Sequence, residues 1–372
     1  MANEESLGLG LIGCGAFGLF CLDTYAKMDG LRPVAVADVR QNVAEDFARE
    51  FNLTAYTDPA ALLARDDVDL VHVATPPATH HKIVLAALKA GKHVLCEKPL
   101  AMNAAEAKEM IDAAAKADRI APVNFVLRYN EVTHAVKRII DAGILGNVLS
   151  SRLTNAAGDS NLHPEHWFWN KKLSGGIFVE HGVHFFDLYH HWLGEGKVMD
   201  AHTETRPGTS QEDRVICTVR HENGAVVNHY HGFDQIAQMD RTNHHLVCEM
   251  GDIWIDGWLP LQLTIDAAVD DEGAERLSDY CATSDIRVVE EYEHEHRQVM
   301  GRGEMRYVTK RIRLHYCPEE DKQFVYSQSV RDLMIDQMNY VRDHSHVRTV
   351  TEVNGLQAVT MAEAAANLAG KH

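Results

Sequence analysis

The run Leu7–Gly18, LGLGLIGCGAFG, decides the fold. An apolar stretch ends in Gly13-x-Gly15-x-x-Gly18, and the segment that follows can be helical. Strand, glycine turn and helix, in that order, are what a bound pyrophosphate needs. Gly13 makes the tight turn, Gly15 lets the backbone approach the phosphates, and Gly18 lets the helix pack on the strand. The phosphates then sit at the helix N-terminus, opened by Ala16 and Phe17, where N–H groups and the dipole favour an anion. Glycine turns are common, so the context decides. A second apolar run, Pro33 to Ala37, ends in Asp38, twenty residues beyond Gly18. An acidic residue there accepts hydrogen bonds from an adenosine ribose and repels a 2′-phosphate, which favours NAD over NADP. Arg40 weakens that preference, because an arginine can pair with a phosphate.

Outward from this turn, the first third alternates apolar runs with helical patterns. Leu9–Ile12, Val34–Ala37, Leu70–Ala74, His93–Cys96 and Ala121–Phe125 read as parallel strands, with helices at 17–27, 43–51, 80–90 and 104–117 between them. The pattern predicts an α/β, doubly wound parallel sheet, whose ligands bind at the carboxyl ends of the strands. The strand-end residues are then the glycine turn, Asp38, Thr75-Pro76 with His80 beyond, Glu97-Lys98 and Asn124.

The pattern changes after Arg128. A linking helix, Glu131–Ala142, stops at Gly143, and Val148–Asn155 is strand-like. Asn223-Gly224 and Gly251-Asp252 each separate two β-rich runs and read as hairpin turns. Arg306–Tyr316 reads as one strand, the acidic stretch 266–298 has no assignable structure, and helices close the chain near 329–343 and 356–368. The expected division is a dinucleotide-binding domain over 1–127 and an α+β domain over 128–372 with a largely antiparallel open sheet.

Across 372 residues, 45% are hydrophobic and 24% charged, the balance of a folded chain with room for two cores. A formal net charge of −18 argues against nucleic acid and anionic membrane as partners. No apolar run is long enough to span a bilayer. The acidic start, Met1–Ser6, lacks the pattern of a secretory signal. Seven scattered cysteines without a Cys-x-x-Cys pair indicate reduced thiols and a cytoplasmic location. Cys14 reads as a small filler in the turn.

Two constellations carry chemistry. Lys98 projects from a strand end, where its ammonium can bind a substrate hydroxyl and stabilise developing negative charge. In Gly175–Asp187, GGIFVEHGVHFFD, a helix would set Glu180 and His184 on one face at i, i+4. A histidine near its ordinary pKa can take a hydroxyl proton while a carboxylate orients it. The 23 histidines, with close pairs at His229/His231 and His244/His245, admit a zinc reading, but no HExxH occurs and the site residues include no metal ligand set. His166 and Trp167, in the loop HPEHWFWN, interleave polar groups with aromatic faces that suit a sugar ring.

These features together resemble the glucose–fructose oxidoreductase / inositol dehydrogenase (Gfo/Idh/MocA) family. The match rests on Gly13-x-Gly15-x-x-Gly18, Ala74-Thr75-Pro76-Pro77 followed by His80, Glu97-Lys98-Pro99, and Gly175-Gly176…Gly182-x-His184-x-x-Asp187. The resemblance implies a Rossmann domain, then a domain whose open sheet carries substrate contacts and often the oligomer interface, with a homodimer or homotetramer expected. It maps the catalytic lysine onto Lys98 and the catalytic histidine onto His184. Where members oxidising sugars or polyols often have aspartate, this chain has Glu180, whose extra methylene carries the carboxylate farther into the pocket. Expected substrate contacts are Lys98, Arg128, His166, Trp167, Glu180, His184 and Asp187. Expected cofactor contacts are Gly13, Gly15, Ala16, Phe17, Gly18, Asp38, Thr75, Pro76, His80, Glu97, Lys98 and Asn124. The function implied is NAD-dependent hydride transfer from a secondary hydroxyl of a sugar, polyol or glycoside. A redox-neutral NAD-dependent glycosidase and a non-catalytic NAD-binding sensor are the alternatives.

Overall fold

A computed structural model describes residues 6–160, 162–281, 285–318 and 320–371; the start of the chain, Met1–Glu5, lies outside it. The chain divides into two compact units. The first comprises residues 1–126, 166–187 and 326–363, and the second 127–165, 188–325 and 364–372.

The first unit is built on five parallel strands, β1 (Leu7–Ile12), β2 (Leu31–Ala37), β3 (Thr54–Tyr56), β4 (Leu70–Val73) and β5 (His93–Cys96), in the order β3-β2-β1-β4-β5. Strands covered on both faces read as continuous apolar runs, which is why β1 and β4 were legible without alternation. The order reverses between β1 and β4, and ligands of such sheets bind at that switch point. The glycine turn leaves β1 there, pinned by Gly13 N–H donating to Ala37 O at 2.8 Å and by Ala74 N–H donating to Ile12 O at 2.8 Å.

Two expectations for this sheet need correction. The stretch 121–125 forms no strand and touches the sheet through a single bridge, Cys96 to Val123. The short β3 was missed because three residues are too few to show a period.

The second unit carries a nine-stranded sheet in the order β13-β16-β12-β11-β10-β6-β9-β8-β7. Its strands are β6 (Val148–Gly158), β7 (Gly196–Thr205), β8 (Glu212–His221), β9 (Val226–Gln235), β10 (Arg241–Cys248), β11 (Gly251–Asp256), β12 (Gln262–Val269), β13 (Asp285–Glu291) and β16 (Lys310–Tyr316). Burial alternates along β8 and β16, as it must when one face of a sheet is covered. Among the described residues of this sheet only β6 and β9 pair in parallel, so the sheet is mixed but largely antiparallel.

Asn223-Gly224 does close the β8–β9 hairpin, with Gly224 at φ 88°. Gly251-Asp252 does not form the second turn. Val247 pairs with Asp252, so the chain reverses two residues earlier, at Glu249-Met250, and Gly251 already belongs to β11, against Ala267. The stretch expected as one strand over 306–316 is two: β15 (Glu304–Tyr307), paired with β14 (Gln298–Gly301), and β16. The acidic stretch is ordered as the end of β12, a helix Asp271–Tyr280 and β13. Two of its acidic residues are paired: Asp266 takes both Arg311 and Arg313 at 2.6 Å, and Asp271 takes Lys310 at 2.6 Å.

Close packing makes glycine obligatory at Gly18, where a Cβ would stand 2.4 Å from Gly13 O. Gly18→Ala is therefore expected to destabilise the protein by about 1–3 kcal/mol, read by urea denaturation. An unchanged midpoint would contradict the packing.

Candidate active site

The glycine turn presents an anion cradle. The helix Ala16–Tyr25 has Gly15 as N-cap, without a side-chain cap and without an acidic residue in its first turn. A Cβ built on Gly15 meets nothing within 4 Å, so the space over the turn is open. Unsatisfied helix N–H groups facing open space fit a dinucleotide pyrophosphate. Cys14 lies buried in the turn, and burial, then the charge of Asp38, push its thiol up to about 12. It remains a protonated filler.

Asp38 ends β2 beside the turn. Its carboxylate accepts from Cys14 N–H at 2.9 Å, and from the backbone N–H, Nε and Nη2 of Arg40, each at 2.9 Å. Burial opposes ionisation of Asp38, but the hydrogen bonds from Arg40 and Cys14 outweigh it and hold the carboxyl below its usual range.

At the neighbouring strand ends, His80 is fully buried and its ring spans two carbonyls, Pro99 O at 2.7 Å and Thr75 O at 2.8 Å. It ties the loops after β4 and β5 together, holding Thr75 and Pro76 in place. Burial lowers its pKa, against the carbonyls that favour a charged ring. Glu97 Oε1 accepts from Asn124 Nδ2 at 2.6 Å and lies 2.9 Å from His72 Nε2. His72 was not anticipated, although its signal was present: a lone histidine inside the buried run LVHV of β4.

Lys98 follows Glu97, and its peptide bond to Pro99 is cis. Its ammonium donates to the carboxylate of Glu180 at 2.5 Å and to the carbonyl of the same residue at 2.8 Å. Both side chains are largely buried, at 17% and 11% exposure. Glu180 sits in a single π-helical turn, Phe178–Gly182, that runs into the helix Val183–Leu193. A regular helix was expected over this stretch. The wider turn is a form concentrated at functional sites. The carboxylate is thereby engaged by Lys98.

His184 opens that helix, buried, with Phe125 at a ring distance of 6.3 Å and His181 also at 6.3 Å. Its pKa is not ordinary: burial, then the charge of Lys98, then His181, lower it well below 6.5. His181, by the same burial, is lowered to about 3. Asp187 lies buried one turn on. The rings of His166 and Trp167 lie 5.3 Å apart in the first unit, tilted by 36°, and Arg128 is buried in the second. The histidines weighed for zinc are divided between the units, His229, His231 and His244 lying in the second. Among the described residues, ligand-type atoms gather within 4.8 Å only at Cys21, His72 and Glu97, the buried network under the Glu97-Lys98 corner.

Residues 7–125 match the family model described as "Oxidoreductase family, NAD-binding Rossmann fold", and residues 133–253 match the "GFO/IDH/MocA C-terminal domain". The chain belongs to the Gfo/Idh/MocA oxidoreductase family. It is 32% identical over 188 residues to the myo-inositol 2-dehydrogenase of Thermotoga maritima, covering 50% of this chain and 55% of the relative. It is 31% identical over 224 residues to the D-glucoside 3-dehydrogenase of Escherichia coli, covering 55% and 63%. The match to the levoglucosan dehydrogenase of Pseudarthrobacter phenanthrenivorans is 31% over 233 residues, covering 58% and 60%. The chain thus matches less than two thirds of the length of each of these relatives. A levoglucosan dehydrogenase structure, in complex with NADH and levoglucosan, superposes with a TM-score of 0.78 at 22% identity over 99% of this chain and 98% of that one. An oxidoreductase from Agrobacterium radiobacter, in complex with NAD+, L-tartaric acid and magnesium, gives 0.76 at 19% over 98% and 96%. These likenesses show the fold.

Gly15→Ala separates cradle from scaffold. Because the added methyl meets no protein atom, folding stability is expected to change by less than about 1 kcal/mol. NADH affinity, followed by nicotinamide fluorescence, is expected to fall by roughly tenfold or more. Unchanged affinity would remove the turn from the binding site.

Proposed function

We propose that this chain is an NAD-dependent oxidoreductase that takes hydride from a secondary hydroxyl of a sugar, polyol or glycoside. The observation that carries this reading is the Lys98–Glu180 pair, built into the same unit as a neutral, buried His184 and the glycine turn. The relatives named as inositol, glucoside and levoglucosan dehydrogenases support the substrate class.

The residue roles follow from charge. When bound, NAD supplies the hydride acceptor. His184, held neutral, takes the hydroxyl proton. Lys98 hydrogen-bonds the hydroxyl oxygen and stabilises the charge that develops on it. Glu180 fixes the ammonium and offers its remaining lone pairs to a neighbouring hydroxyl. Residues 1–127 serve the dinucleotide, and 128–372 supply His184, Glu180, the substrate contacts and assembly. His166, Trp167, Arg128 and Asp187 are the further substrate contacts proposed. All seven cysteines are unpaired, which supports a cytoplasmic location. No helix among the described residues is long and apolar enough to cross a membrane. Met199 on β7 and Ile216 on β8 are 52% and 41% exposed, which supports a sheet face covered in a homodimer or homotetramer. Light scattering should give one of those masses.

Incubation with NAD and a panel of sugars, polyols and glycosides tests the chemistry. Net absorbance of reduced nicotinamide without release of aglycone is expected. Cleavage that needs NAD but leaves no reduced cofactor would replace the reading by redox-neutral glycoside cleavage. His184→Ala is expected to lower kcat roughly 10²- to 10⁴-fold with NADH binding retained; full turnover would reject it as the base. Lys98→Met strands Glu180 as a buried charge and should cost stability as well, about 3–5 kcal/mol. Adding Glu180→Leu should restore stability without restoring turnover, which separates the two effects.

The pH profile has a definite sign. Since His184 is protonated only well below 6.5, its base form persists through neutrality. The acid limb of kcat/KM is expected below pH 6.5, and a limb at or above that value would contradict a buried neutral base. Stability shares the direction: below pH 6.5 the unfolded chain binds protons that His184 and His181 do not, so stability falls as the medium is acidified.

A further inference from the structure

Beneath the Glu97-Lys98 corner, three side chains with metal-ligand chemistry meet from three places in the first unit. Cys21 comes from the helix Ala16–Tyr25, His72 from β4, and Glu97 from the residue after β5. A ligand atom of each lies within 4.8 Å of the other two. Cys21 and His72 are fully buried, and Glu97 is 9% exposed. The polar groups here do not satisfy one another. His72 Nδ1 and Asn124 Oδ1 are buried without a hydrogen-bond partner. Asn124 Nδ2 and His72 Nε2 both meet Glu97 at Oε1, so these two contacts use one oxygen of the carboxylate. The ammonium of the next residue, Lys98, goes to Glu180 instead. A carboxylate taken out of water is costly without a cation beside it.

We propose that Cys21, His72 and Glu97 bind a zinc ion. Thiolate, imidazole and carboxylate are the donors zinc takes in tetrahedral sites, whereas calcium and magnesium take oxygen. The charges also balance: one thiolate and one carboxylate neutralise a divalent ion, and the interior receives a neutral unit. Burial, then the charge of Glu97, hold the Cys21 thiol protonated when no cation is present. A coordinated zinc removes that proton outright, and the proton passes to solvent. Zinc bonds of about 2.0–2.3 Å set the donors roughly 3.5 Å apart, so the three side chains draw together on binding. A water completes the tetrahedron. The ion is structural: it fastens the helix that opens at the glycine turn to the strand end that carries Lys98. The ligands are scattered over three elements, which is why no Cys-x-x-Cys or HExxH spacing announces them. Zinc binding at this place is independent of the hydride chemistry and is tested without substrate.

The experiment uses the full-length protein without a histidine tag. Metal content after purification is read by plasma emission spectrometry, and about one zinc per chain is expected. Chelator-treated protein is then titrated with Co2+, followed by Zn2+. Cobalt should give the visible bands of a tetrahedral site and a near-ultraviolet thiolate-to-cobalt band, and zinc should abolish both. Cys21→Ser should lose the thiolate band and weaken zinc by more than the roughly 10- to 100-fold that loss of a supporting residue costs. His72→Gln, whose amide can still donate to Glu97, is a second variant and should weaken zinc by a similar factor. Cys317→Ser, which removes an exposed thiol, should change nothing. Circular dichroism confirms the fold of each variant, and should Cys21→Ser not fold, His72→Gln and the wild-type cobalt spectrum decide. Persistence of the thiolate band in Cys21→Ser, or its loss in Cys317→Ser, would place the metal elsewhere and overturn the proposal. Purified protein without zinc that also gives no thiolate band with cobalt would overturn it too, leaving the cluster a hydrogen-bonded network.

Discussion

The site depends on one ion pair. Lys98 and Glu180 are 82 residues apart in sequence, and both lie largely out of water. A buried charge is costly unless it is paired and its remaining hydrogen-bonding capacity is used. Here one residue satisfies the ammonium twice, through carboxylate and backbone carbonyl. That double contact fixes the strand-end corner Glu97-Lys98-Pro99 to the π-helical turn, and His184 follows two residues after that turn's last residue, Gly182. The geometry of His184, Lys98 and turn is thus set by a contact that neither segment could supply alone.

Below this corner lies a second layer of polar order. Glu97 bonds both Asn124 and His72 inside the unit, and the ring of His80 lies between two carbonyls at the strand ends. The low dielectric that strengthens each of these bonds also penalises a missing partner, as at His72 Nδ1 and Asn124 Oδ1, which are buried without one. Their effect is positional. Each holds a strand end, and the strand ends are where a doubly wound sheet presents its ligand.

Much of this was readable from residues alone, for identifiable reasons. The parallel strands announce themselves as apolar runs because both their faces are covered, and the glycine turn does so because close approaches forbid any side chain at Gly13 and Gly18. Asn223-Gly224 was legible since its turn chemistry is local. Gly251-Asp252 misled for the same reason: a local signal was overridden by the register of β11 on β12, where Gly251 is needed to let Ala267 approach. The stretch over 266–298 was opaque in part because its first acidic residue is paired with arginines distant in sequence, Asp266 with Arg311 and Arg313. Glu180 and His184 were singled out from their spacing, but the contact of Glu180 with Lys98 was not. Periodicity places residues on a face of an ideal helix and has no access to a π-turn or to the pull of a lysine 82 positions away.

The replacement of aspartate by glutamate then acquires a physical meaning. A longer side chain was expected to carry its carboxylate farther into the pocket, and instead the carboxylate meets the ammonium that its own carbonyl already holds. The consequence is electrostatic. His184 is buried, and both burial and the positive charge of Lys98 resist its protonation. In its proposed role as base His184 is neutral but weak, and taking a proton would place a second cation beside the first. Glu180 offsets that cation: with the carboxylate on Lys98, proton transfer to His184 leaves one net positive charge among the three groups, where without it there would be two. In a medium of effective dielectric about 20, like charges a few ångström apart cost several kcal/mol, enough to decide whether the transfer proceeds. In the mechanism proposed above, the residue that departs from the common pattern is therefore the one that would let a desolvated histidine act as a base beside a lysine.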